Sequence, residues 1–478
     1  MKIALFILLL LSGCAWLPED SKRAELLELS PQSQTLASNS HAEKIIRNWA
    51  KPQWWRDFHN PELNRLIETA LKDNPSLHAA TARLTQAEAV ADFQEAEMLP
   101  SIHSNVEFHQ RRFSETDFYG PIGGKTLTGA YIDPAVFRYH LDLWGKDKAK
   151  LESALGKEQA QASELAVTQL LLSTAIARSY IELCAVEEDI ELLEKLTEKA
   201  QEKLQLVTVR WKQGLSNQDP VHANKQKLET LNQQATSMQT QVQLLRNRLA
   251  TLVGKQTDWA KTIHVTETHV AAYLPPPEVL SIGLLAHRPD VVAALWRVES
   301  AVQLINVAKT EFYPDVNLVG FAGLRSLNLK DLFLSHGASV AYGMGPTVTL
   351  PIFEGGRLDA ELKNQQAVYD AAVETYNQTL LTAAQQVADN IVQWRQTIEH
   401  DASQARAIEV AKAELNLTQK RYQAGLSSRD GLIDGELDLL QQQLADSKLH
   451  AAHLLAAVGL IEVLGGGYEN HTLPNKKP

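Results

Sequence analysis

Hydrophobic positions along the chain follow two periods in a fixed order. Leu63, Leu66, Ile67, Ala70 and Leu71 recur at helical spacing behind Asn60-Pro61, a pairing that supplies an N-cap and a first-turn proline. Asn74-Pro75 breaks that helix and starts another, carried by Leu77, Ala80, Leu84, Ala87 and Val90 as far as Pro100. The period then drops to two. Ile102, Val106 and Phe108 alternate with His103, Asn105, Glu107 and His109, which predicts a strand over 101–113 with one apolar face. A loop is expected over 114–130 and a second strand over 131–143, with Ala135, Phe137, Tyr139, Leu141 and Leu143 on one face and Arg138, His140 and Asp142 on the other. Tyr131, Phe137, Tyr139 and Trp144 fall where a membrane strand would meet the lipid interface. From Gly145 to Gln213 there is no proline, and the leucines repeat at helical and heptad intervals. Such a helix would be about 100 Å long, which suggests a coiled coil or a helical barrel.

The long helix runs into Arg210-Trp211-Lys212-Gln213-Gly214-Leu215-Ser216-Asn217-Gln218-Asp219. A near-copy, Arg421-Tyr422-Gln423-Ala424-Gly425-Leu426-Ser427-Ser428-Arg429-Asp430, follows 211 residues later. A left-handed Gly ends one helix and Ser or Asp caps the next, so 210–219 and 421–430 are expected to be tips of helical hairpins. The rest of the plan repeats too. Pro289 corresponds to Pro75 and Pro314 to Pro100. Strands are expected at 315–325 and 338–350, then a long helix over 357–424 and a last one to about Leu464. Pro275-Pro276-Pro277 marks the junction, giving a first repeat over 51–274, a second over 275–464 and a polar tail over 465–478. Each half reads helix, strand, strand, long helix, tip, helix. Four strands cannot close a barrel in one chain without leaving edges unpaired in lipid, so oligomerisation is the physical remedy.

Charge changes the picture by exclusion. The net charge of −11 and the pI of about 5.8 argue against a nucleic-acid surface. At the N-terminus, Ile3–Leu11 is an apolar run too short to span a bilayer. It fits the core of a secretory signal over 1–13 and ends in Leu11-Ser12-Gly13-Cys14, which resembles the bacterial lipobox. That resemblance implies cleavage before Cys14, lipid on its sulfur and a lipidated leader over 14–50. Ala15, in place of Asp, implies sorting to the outer membrane. Cys184 is then the only thiol left, lies on the apolar side of a helical pattern and is read as a buried structural residue.

Four motifs carry a wider resemblance: Trp55-x-x-Phe58-x-x-Pro61-x-Leu63, Leu141-Asp142-Leu143-Trp144-Gly145, Phe312-Tyr313-Pro314-Asp315 and Leu350-Pro351-Ile352-Phe353-Glu354-Gly355-Gly356-Arg357. With the lipobox and twin tips, they resemble the TolC-like outer membrane factors, in particular the lipoprotein branch that accompanies drug or aromatic-compound exporters. The resemblance covers essentially the whole mature chain. It implies a mainly α fold with a small β part, in which three chains pool four strands each into a 12-stranded membrane β-barrel continued by a long periplasmic α-helical barrel. It implies a passive exit duct in the outer membrane that works with a periplasmic adaptor (membrane fusion) protein and an inner-membrane transporter. The adaptor would dock on Arg210, Gly214, Leu215, Ser216, Arg421, Gly425, Leu426 and Ser427. Helix capping explains the glycines and serines equally well. The family's constricting carboxylates map on Asp434. In the first copy Asp219 lies one residue early and Pro220 holds the usual place, while Gly431 replaces an acidic position in the second. Asp219, Asp430 and Asp434 are therefore gating candidates, with Tyr422 beside Arg421 as a tie-back.

An enzyme is not expected. The sequence has no His-Glu-x-x-His, Walker loop, Gly-x-Ser-x-Gly or Cys cluster, so no cofactor, metal or catalytic residue is assigned. A structural coiled-coil lipoprotein would not need the four alternating strands. Type I protein secretion and metal-ion export are the alternative cargoes; four Met residues make no copper track.

Overall fold

The computed structural model describes residues 23–27, 52–116, 119–265, 285, 287–333 and 337–468. Cys14, the signal segment, most of the leader, the Pro275–Pro277 junction and the end of the tail lie outside them. Helices α1 (Pro61–Asp73) and α2 (Pro75–Glu97) precede strands β1 (Ser101–Arg112) and β2 (Thr126–His140). Then come α3 (Lys146–Lys212) and α4 (Asp219–Leu252). The order repeats with α5 (Pro289–Thr310), β3 (Asp315–Ser326), β4 (Val340–Thr349), α6 (Arg357–Gln423) and α7 (Arg429–Val463). The helices α3 and α6 are each 67 residues long.

Two compact units each draw on both repeats. The first gathers Leu84–Gln161 and Ala294–Tyr376, with the sheet and the helix segments that flank it. In it, Ile305, Ala308 and Phe312 pack with Leu358 and Leu362. Gly156 of α3 lies against Ser300 of α5, where an added Cβ would stand 3.1 Å from the serine Cβ, and the Ser153 and Ser300 hydroxyls meet at 2.9 Å. Small residues let these two helices approach closely.

The second unit gathers Leu27–Arg83, Ala162–Ala293 and the chain from Asn377. Asn60 caps α1 by accepting from Leu63 N (2.9 Å), and Pro61 fills the first turn, as the sequence predicts. Leu63, Leu66, Ile67 and Ala70 are buried, beside the edge-to-face cluster of Trp54, Trp55 and Phe58. Leu193, Leu196 and Ala200 of α3 pack with Leu231 of α4 and with Ile433 and Leu437 of α7. By length and composition alone α5 and α7 would pass as membrane helices. Their Val291, Val292, Val298, Leu454, Val458 and Leu460 are instead buried inside the protein.

The sheet is antiparallel throughout, in the order β1-β2-β3-β4. One strand departs from the alternation. β2 begins at Thr126, inside the expected loop, and ends at His140 instead of Leu143. The cause is a bulge. Asn105 pairs with Asp133 but His103 with Val136, and Ile132 pairs with Leu324 but Ala135 with Ala322, so β2 carries one extra residue around Pro134, at Pro134-Ala135 against β1 and at Asp133-Pro134 against β3. Proline, which donates nothing to the ladder, is tolerated at such a bulge. The extra residue resets the parity, which hides 126–130 from a period-two reading. At the other end Leu141 N still bonds Val316 O, but Asp142 turns away to accept from Lys148 N (3.0 Å) at the start of α3.

Candidate functional site

Register assigns the faces of the sheet, because directly paired residues share a side. Ile102, Val106 and Phe108 of β1 lie level with Phe137, Ile132 and Ala130 of β2. These continue into Gly320, Leu324 and Ser326 of β3, and Gly320, Ala322 and Leu324 pair in turn with Met344, Tyr342 and Val340 of β4. This face is apolar nearly end to end, yet Ile102, Val106, Phe108, Val340, Tyr342, Met344 and Val348 are all exposed. The opposite face carries His103, Asn105, Glu107, Tyr131, Asp133, Arg138, Asn317, Arg325 and Thr347. Tyr131 is thus corrected from the apolar to the polar side, a direct result of the bulge. Around it Arg325 makes a bidentate pair with Asp133 (2.8 and 3.1 Å) and lies over the Phe321 ring at 3.6 Å. Gly323 makes the room, since a Cβ there would meet Asp133 Oδ1 at 2.4 Å. Trp144 stacks on Tyr313 at 5.1 Å and donates to Pro314 O (2.8 Å), which ties two of the sequence motifs together.

Both helical tips close with the same backbone device. Leu215 N donates to Arg210 O and Gly214 N to Trp211 O, both at 2.9 Å. Leu426 N donates to Arg421 O (2.8 Å) and Gly425 N to Tyr422 O (2.9 Å). Each is a Schellman turn whose left-handed residue is glycine, at φ 72° in both copies. The residue after that glycine often packs back on the helix, but here the third-last helical position is an arginine. Leu215 stays 66% exposed and Leu426 80%. Arg210, Arg421 and Tyr422 are exposed as well, and Ser216 and Ser427 are half-buried.

The caps differ from the expectation that Ser or Asp starts each following helix. Ser428 does cap α7, accepting from Gly431 N at 3.4 Å. Gln218 precedes α4 in a helical conformation with no side-chain cap bond. Asp219 and Asp430 both stand within the first turn, where a carboxylate is favoured by the helix dipole.

The acidic candidates are brought together only at the second tip. Asp434 is hydrogen-bonded by Lys203 of α3. Asp430 stands 4.0 Å from the same ammonium and 3.7 Å from Arg210 Nη1. Next to them Arg429 pairs with Glu202, and Lys199 bridges Glu202 (3.4 Å) and Glu436 (2.7 Å). Arg429 beside Glu202 holds that carboxyl below its ordinary range, and Glu436 raises the Lys199 ammonium above its own. Four cations thus face four carboxylates between α3 and α7. Asp219 lies apart and accepts from Asn217 Nδ2 (2.8 Å) within the first tip. Lys199, Glu202 and Lys203 escape sequence reasoning because charges on a long helix look like a solvated face. The one available signal is Arg429, which stands where the first tip has Gln218.

The family model described as "Outer membrane efflux protein" matches residues 66–255 and again 281–466. The chain belongs to the outer membrane efflux protein family. Its relatives include the multidrug resistance outer membrane protein MdtP of Escherichia coli K12, 28% identical over 477 residues, covering 98% of this chain and 96% of that protein. The multidrug resistance outer membrane protein MdtQ of Escherichia coli O6:H1 is 30% identical over 478 residues, covering 97% of each. Among solved structures, the outer membrane protein VceC of Vibrio cholerae is 31% identical with a TM-score of 0.78, covering 88% of this chain and all of that one. The outer-membrane channel OprN shares the fold at 23% identity and a TM-score of 0.76, covering 93% and 99%.

Proposed function

We propose that this chain is the outer-membrane channel subunit of a tripartite efflux pump, a passive exit duct for drugs and other small toxic compounds. The observation that carries the reading is the sheet. One face is apolar and exposed, the other mostly polar, and among the described residues the outer strands β1 and β4 each have a single neighbour. A lipid-facing surface with a wet interior matches the first two properties. Open edges are not tolerated in hydrocarbon, so the strands require other copies of the chain. In our reading three copies pool four strands each. The names of MdtP and MdtQ support drugs as cargo over secreted proteins or metal ions. With no nucleotide-binding motif in the sequence, energy comes from an inner-membrane transporter reached through a periplasmic adaptor, for which the exposed Leu215 and Leu426 are the docking residues.

A lipid anchor at Cys14 completes the proposal. The Ala24 amide donates to Asp370 Oδ1 of α6 at 2.9 Å, and Arg23 lies over the Tyr369 ring at 5.9 Å. Asp370 is about 20 Å of helix from Arg357, at the start of α6. The stretch from Cys14 to Ala24 spans up to about 35 Å when extended, ample to reach a bilayer at that end.

The purified protein in planar bilayers should give discrete single-channel conductance and migrate as a heat-sensitive trimer. An inert monomer would sink the reading. Incorporation of labelled fatty acid should disappear in Cys14→Ala; persistent label would remove the anchor but leave the channel.

A further inference from the structure

Where β2 ends and α3 begins, three potential metal ligands converge. His140 is the last residue of β2, Asp142 follows it in the turn and Asp147 stands in the first turn of α3. One ligand atom from each lies within 4.8 Å of the others. The spacing 140, 142, 147 matches no recognised metal motif, so the grouping is made by the fold.

The surrounding hydrogen bonds leave a specific set of atoms unaccounted for. Asp142 Oδ2 accepts from Lys148 N (3.0 Å), and Asp147 Oδ1 lies 3.3 Å from Lys150 Nζ. His140 Nε2 faces Asp315 Oδ1 at 3.1 Å. A carboxylate at that nitrogen is the kind of partner that orients a metal-bound imidazole. Nδ1 meets Asp147 Oδ2, so both ring nitrogens face carboxylates. Either a ring proton or a metal ion on Nδ1 accounts for that contact. A proton would satisfy that pair, but Asp142 Oδ1 would still be shielded from solvent with no hydrogen-bond partner. Asp147 itself is only 7% exposed. The helix dipole accounts for carboxylates at the start of α3, but not for an imidazole brought against them.

We propose that His140 Nδ1, Asp142 and Asp147 form a site for a divalent transition metal of the zinc class, with Asp315 as the positioning residue. One imidazole nitrogen with two carboxylate oxygens suits such an ion and leaves a position for water. The imidazole disfavours magnesium and calcium, which take oxygen ligands, and the lack of sulfur disfavours copper(I). A bound ion would join the last residue of β2 to the first turn of α3.

The test uses the full-length protein in detergent, stripped with chelator and dialysed against zinc alone, then magnesium alone, with metal content measured. Zinc uptake should reach about one ion per chain and magnesium uptake none. His140→Gln and Asp147→Asn should weaken zinc binding at least about tenfold, and Asp315→Asn about 10- to 100-fold. His103→Gln, on the polar face of the sheet, should leave it unchanged. Wild-type protein that takes up no zinc at pH 7.5 would overturn the site. Retention of zinc by both ligand variants would overturn it as well. If the variants fail to assemble, a zinc-induced, chelator-reversible rise in the melting temperature of the wild type decides; no rise would end the proposal.

Discussion

At the first tip α3 closes on Gly214, and α4 starts behind Gln218 without a side-chain cap. At the second, α6 closes on Gly425, and Ser428 caps α7. Their Schellman turns and exposed leucines are alike. Charge is not. The second tip holds Arg429, Asp430 and Asp434 in an ion-pair cluster with α3, whereas Asp219 at the first stands outside it. The same divergence continues up the hairpins, where α3 and α6 correspond at an offset of 211. Leu183, Val186 and Val242 of the first become Trp394, Thr397 and His453 of the second. Duplication preserved what a turn needs sterically, while the polar chemistry was free to specialise in one copy.

The largest expected effect separates shape from stability. No heavy atom stands within 4 Å of a Cβ added at Gly214 or Gly425, so Gly214→Asp and Gly425→Asp bear only the left-handed backbone cost of about 1–2 kcal/mol. Trimers should persist while adaptor-dependent drug resistance falls to the level of a null strain. Full resistance in both variants would mean that the tips do not dock.

Acid should distinguish the hairpins next. His453 is 2% exposed, bonds Thr397 Oγ1 at 3.0 Å and lies 4.3 Å from the Trp394 ring. Burial, with His450 nearby, pushes it down to about 4. The unfolded chain therefore binds the extra proton between about pH 6.5 and 4. Stability present above that window is lost as pH falls through it, by on the order of 3 kcal/mol per chain. Replacing His453→Val, to match Val242, should flatten the difference between unfolding midpoints at pH 7.5 and 4.5. An unchanged slope would assign acid sensitivity elsewhere.

A subtler asymmetry concerns conductance. Asp434→Ala leaves Lys203 without its main partner and should raise basal single-channel conductance severalfold. Asp219→Ala, outside the cluster, should do nothing. Equal behaviour would place the gate away from the second tip. The smallest effect belongs to the caps: Ser428→Ala should cost about 1 kcal/mol in thermal unfolding and Gln218→Ala almost nothing.

The repeated helix and strand order, both tips and the Asn60-Pro61 start were legible because each rests on local chemistry or an unbroken period. The start of β2 was not, since one extra residue around Pro134 inverts the alternation and makes 126–130 resemble loop. The cluster at the second tip was hidden for another reason. Arg429 and Glu202 are 227 positions apart, and only the packing of α3 against α7 pairs them. His140, Asp142 and Asp147 read as strand alternation and helix start, because their convergence depends on how the chain turns between β2 and α3.

The single-neighbour status of β1 and β4 also has a genetic consequence. Every chain carries two adhesive edges, and a closed ring joins each edge to one edge of a neighbour, so seams and subunits are equal in number. One faulty edge strand opens the ring however many sound copies accompany it. Substitutions that spoil the β1 or β4 edge while sparing the opposite one should therefore be dominant, with mutant chains capturing healthy ones in assemblies that cannot close.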